Sequence, residues 1–127
     1  MTEHTKRILF VEYDPLVVDS MVSVLKEFFE VDIAKSLEEA LAYLQNNNYD
    51  AVSTNMMLPE KKNGAIGKTS PEDYRGNQVV AVAKSRKIFV VALTGDTSKV
   101  HGCDAVFEKG NMDMNEYIQI LKRGKNA

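Results

Sequence analysis

Tyr49-Asp-Ala-Val-Ser-Thr-Asn-Met-Met-Leu-Pro-Glu60 decides the fold. It reads as a short apolar strand, Tyr49 to Asn55, leaving through a loop marked by Pro59. At the C-terminal end of a strand in a parallel sheet, a side chain projects into the crevice where ligands bind. Asn55 takes that position. Three other strand ends carry polar residues: Glu12 to Asp14, Thr94 and Lys109. A parallel sheet would bring all of them to Asn55, whose amide could hydrogen-bond Lys109 and Thr94.

Upstream, Lys6 to Val11 is an apolar run behind two basic residues, as expected of a strand covered on both faces. Asp14 can cap a helix, and Pro15 suits its first turn, where no backbone N–H is needed. Leu16, Val17, Met21, Val24, Leu25 and Phe28 recur at helical steps, predicting a helix from about Pro15 to Glu30. Val31 to Ala34 is a short strand. Ser36-Leu-Glu-Glu39 is a capping box opening a second helix that ends near Asn46-Asn47-Asn48.

Downstream, residues 60–75 have almost no apolar content and read as a long exposed loop. Lys61, Lys62 and Lys68 there are solvated, and Met56-Met57 forms a half-buried entry to it. Gly76 to Arg86 is a helix, Ile88 to Thr94 a strand and Ala105 to Glu108 another. Between these strands, Gly95 to Cys103 allows at most one helical turn. Met112 to Arg123 is the last helix. Strands alternating with helices imply an α/β fold: a flavodoxin-like, doubly wound, five-stranded parallel sheet of order 2-1-3-4-5. The helix after the fourth strand is short or absent.

A chain of 127 residues fits a single domain, residues 1–127. Its net charge of -2 gives no basis for binding nucleic acid or an anionic membrane. The single cysteine, Cys103, rules out an internal disulfide or a cysteine zinc site and suits a reducing cytoplasm. No run approaches the roughly 20 apolar residues of a membrane span. His4 and His101 are expected in solvent.

Five stretches now carry a resemblance to the receiver domain of bacterial two-component response regulators. They are Ile8-Leu-Phe-Val-Glu-Tyr-Asp-Pro15, Ser36-Leu-Glu-Glu-Ala-Leu41, Tyr49 to Pro59, Val90-Val-Ala-Leu-Thr-Gly95 and Asp104-Ala-Val-Phe-Glu-Lys109. In that family an acidic pair after the first strand binds magnesium, and an aspartate ending the third accepts a phosphoryl group. A hydroxyl residue ends the fourth strand and a lysine the fifth. The resemblance implies the hydroxyl role for Thr94, the lysine role for Lys109 and the first acid for Glu12. Tyr13 stands where the second acid is expected, Asn55 at the phosphoacceptor, Val106 at a switching aromatic and Gly110 at the usual proline.

These departures point one way. A carboxylate can attack phosphorus, but a neutral carboxamide cannot. A hard divalent cation needs oxygen ligands, and two carboxylates are missing. The resemblance therefore implies a pseudo-receiver: a cytoplasmic, non-enzymatic signalling module bound to a protein partner such as a histidine kinase. No cofactor is expected, and Mg2+ is bound at most weakly, with Glu12 and Asp14 as its residual site. One alternative is a phosphorylatable regulator using Asp14, Asp96 or Ser53 as acceptor. Another is a flavodoxin-like small-molecule binder, against which the first loop lacks a Gly-rich phosphate cradle. Gly64-Ala-Ile-Gly67 does not follow a strand and is a poor substitute.

Overall fold

The computed structural model describes residues 5–61, 74–95 and 97–124. His4, Lys62, Gly64 to Gly67, Lys68 and Asp96 lie outside the described residues. Five strands form one sheet: β1 (Arg7–Val11), β2 (Glu30–Ala34), β3 (Ala51–Thr54), β4 (Phe89–Thr94) and β5 (Ala105–Glu108). All pairings are parallel and the order is β2-β1-β3-β4-β5, as the sequence predicts. The helices among the described residues are α1 (Pro15–Leu25), α2 (Leu37–Asn46), α3 (Gly76–Ser85) and α4 (Met114–Arg123).

Alternation along the strands divides the core in two. Leu9, Val11, Val52, Val90 and Ala92 face α2 and α3, and Leu44, Val79, Val80 and Ala83 meet them. Ile8, Phe10, Ala51, Val91 and Leu93 face α1 and α4, and Val22, Leu25, Ile118 and Leu121 meet them. Burial on both faces accounts for the nearly continuous apolar strands.

Local signals set the helix starts. Asp14 Oδ1 accepts the Leu16 N–H at 3.0 Å, and Pro15 begins α1. Ser36 Oγ accepts the Glu39 N–H at 3.1 Å, while Glu39 Oε1 reaches back to the N–H of Lys35 at 2.8 Å. Two further N–H groups of α2 are met from the β3 exit: Leu37 donates to Pro59 O and Glu38 to Glu60 O, both at 2.9 Å. That exit is more deeply set than a half-buried loop, since Met56 and Leu58 are fully buried. Helix α1 ends at Leu25, short of the predicted Glu30.

Among its described residues, the β4–β5 connection holds only a 3-10 turn at Thr97–Lys99. It is closed by Asp104, whose Oδ2 accepts the Val90 N–H at 2.8 Å and pairs with Lys84 Nζ at 2.7 Å. Without a helix above it, Val106 on β5 is 43% exposed.

Candidate functional site

The C-terminal ends of β1, β3, β4 and β5 carry Glu12, Asn55, Thr94 and Lys109. Glu12 is 1% exposed and is the hub. Its Oε2 accepts the backbone N–H groups of Tyr13 and Asp14, each at 3.1 Å. The same oxygen accepts from Asn55 Nδ2 at 3.3 Å. Its Oε1 lies 2.6 Å from Lys109 Nζ, an ion pair rather than an aligned hydrogen bond.

Asn55 is 5% exposed, and each end of its amide is engaged. Oδ1 accepts the Met56 N–H at 3.0 Å. Nδ2 donates to Met57 O at 3.0 Å as well as to Glu12. The sequence-based expectation that this amide faces Lys109 needs correction: Lys109 pairs with Glu12. A lone buried carboxylate is the costlier charge to leave uncompensated, which accounts for the lysine's choice. Thr94 is buried at the end of β4, and its carbonyl accepts the Lys109 N–H at 2.9 Å.

Glycines shape two edges of the crevice. Gly76 starts α3 directly against the β3 exit. A Cβ there would sit 2.2 Å from Asn55 O and 2.6 Å from Met56 Cα. Gly110 has φ of 93°, in the left-handed region closed to the proline that the resemblance leads one to expect. That turn follows Lys109 directly. Sequence reasoning missed Gly76, because its only signal was a glycine at a helix start.

The other site candidates are dispersed. Tyr13, standing for the second acid, is 40% exposed. Partial burial, then Glu12 and Asp14, push its phenol above the ordinary range. Asp14 Oδ1 is engaged by the α1 cap, where it accepts the Leu16 N–H. Ser53 is fully buried and accepts a 2.6 Å hydrogen bond from Tyr117 Oη of α4, away from the crevice. Burial and Asp104 push the Cys103 thiol up to about 11, so it is protonated at neutral pH and a poor nucleophile. A groove of about 190 Å3 is lined by Val17, Ser20, Met21, Leu93, Lys109, Gly110 and Met112; its wall is mostly apolar, with Ser20 and Lys109 as its polar side chains.

Magnesium, which the resemblance implies, does not fit these residues. No three His, Cys, Asp or Glu side chains converge to hold a metal ion among the described residues. Glu12 Oε2 already accepts three N–H groups, and the amino group of Asn55 points at the oxygens a cation would need. No helix among the described residues is long and apolar enough to cross a membrane.

No protein-family model matches the chain, and no curated protein matches it. Solved structures do. A CheY-like response regulator receiver domain protein from Methanospirillum hungatei JF-1 has a TM-score of 0.73 at 23% identity, over 94% of this chain and 93% of that one. The signal receiver domain of an HD domain-containing protein from Pseudomonas fluorescens Pf-5 has a TM-score of 0.75 at 17% identity, over 97% and 96%. The receiver domain of a sensor histidine kinase from Pseudomonas aeruginosa PAO1, with a magnesium ion coordinated in its active site cleft, has a TM-score of 0.72 at 19% identity, over 98% and 100%. At these identities the likeness establishes the fold: a flavodoxin-like, CheY-type sheet with helices on both faces.

Proposed function

We propose that this protein is a receiver-like signalling module that takes no phosphoryl group at Asn55 and works by binding a protein partner. The observation that carries the reading is the state of Asn55. A receiver-type acceptor must present a carboxylate to phosphorus, whereas Asn55 presents an amide whose oxygen and nitrogen are already hydrogen-bonded. Lys109, the cation that would meet phosphoryl oxygens, neutralises Glu12 instead. The module is then cytoplasmic, non-enzymatic and bound at most weakly by Mg2+. Its partner is another signalling protein, of which a histidine kinase is the class nearest to hand. Of the non-standard acceptors among the described residues, Ser53 is buried and Asp14 caps α1.

Intact-mass measurement after incubation with acetyl phosphate and Mg2+ tests this. The mass is expected to stay unchanged, and a partner captured from the native cell is expected to bind equally with and without the phosphodonor. A stable, Mg2+-dependent phosphoryl increment would overturn the proposal.

A further inference from the structure

Two oxygens from different loops converge on one amino group in the crevice. Asn55 Nδ2 lies 3.3 Å from Glu12 Oε2, in the β1–α1 turn, and 3.0 Å from Met57 O, in the β3 exit. Across the same carboxylate, Lys109 Nζ from the β5 exit lies 2.6 Å from Oε1. The amide has two hydrogens and meets two acceptors; the ammonium supplies the full charge that the amide lacks.

We infer that Asn55 and Lys109 form a built-in substitute for a bridging cation, which holds three crevice loops in one arrangement whether or not Mg2+ is present. The inference rests on reading the crevice as a receiver-like site and adds how that site is governed. A metal ion bridges oxygens by charge and can leave. These donors bridge the same kind of oxygens and are covalently part of the chain. Asn at position 55 is what makes this work. An aspartate there would turn an oxygen toward Glu12 Oε2 and Met57 O, placing acceptor against acceptor and one carboxylate against another in a buried site.

The test is the thermal midpoint of the full chain, measured without any phosphodonor. The wild-type midpoint is expected to be the same in EDTA and in millimolar Mg2+. Asn55→Asp in EDTA is expected to fall by roughly 10 °C, since a bridge becomes a repulsion. Asn55→Ala removes both bridging hydrogen bonds without adding an acceptor, and its midpoint in EDTA is expected to fall by less than that of Asn55→Asp. A wild-type midpoint that rises with Mg2+ overturns the inference. So does an Asn55→Asp or Asn55→Ala chain as stable as wild type in EDTA, or an Asn55→Ala chain that falls as far as Asn55→Asp. If Asn55→Asp does not fold, Asn55→Ala decides: a midpoint below wild type supports the inference and an unchanged one overturns it. A chain that takes no phosphoryl group yet is stabilised by Mg2+ would leave the proposed function standing and remove this inference alone.

Discussion

The two ends of the sheet each hold an acid–base pair, in opposite circumstances. At the crevice end, Lys109 meets Glu12, whose side chain is 1% exposed. At the far end, Arg7 meets Asp32 at 2.7 Å with side chains 38% and 27% exposed. There the pair has company: Tyr49 Oη donates to Asp32 Oδ2 at 2.7 Å, Asn47 Oδ1 accepts from Arg7, and the guanidinium lies 5.2 Å from the Tyr49 ring centroid. Burial, then the hydrogen bond to Asp32, keeps the Tyr49 phenol protonated well above its ordinary range. Water can replace a lost partner at the far end but not around Glu12. Two contacts of similar length therefore carry different consequences: one is a clip at the rim, and the other determines whether a charge can stay inside.

The contrast is sharpest at Lys109. Lys109→Met leaves Glu12 buried without its counter-charge and is expected to cost about 3–5 kcal/mol in urea unfolding. A cost no larger than that of a change at the far end would show that burial does not separate the two. Next comes the crevice wall. Gly76→Ala drives a methyl group into Asn55 O and Met56 Cα, so α3 must shift, at an expected cost of about 1–3 kcal/mol. Loss of the Gly76 N–H to Met56 O protection in hydrogen exchange would accompany it. The smallest effect belongs to the far end. Tyr49→Phe removes one hydrogen bond from an Asp32 that keeps Arg7, and about 1 kcal/mol or less is expected in the same urea experiment. A larger loss would mean that the far end tolerates a missing partner no better than the crevice does.

What could be read from the sequence was local. Pro15 after Asp14, the Ser36–Glu39 box and the apolar runs each act over a few residues, so strands, helices and sheet order followed from them. The helix missing between β4 and β5 was legible because the interval is too short to hold one. The lysine's partner was not, since β3 and β4 separate the strands that lead into Glu12 and Lys109 and only the three-dimensional arrangement brings those side chains together. Ser53 gave a signal that was misread. A hydroxyl inside an apolar strand needs a buried partner, and Tyr117 supplies it from α4. Gly76 shows the same gap, because a close approach of backbone to backbone leaves no trace in periodicity.

The short β4–β5 connection also bears on how the chain reaches this state. Val91 pairs with Ala105 across it, whereas Ile8 must find Ala51. The entropy of closing a loop grows with the logarithm of its length, so a roughly threefold shorter separation lowers that cost by about 1 kcal/mol. Omitting one helix makes β4–β5 the parallel pairing with the least chain to close. The strand that brings Lys109 to the crevice can therefore join the sheet before β1 and β3, which bring Glu12 and Asn55, have met.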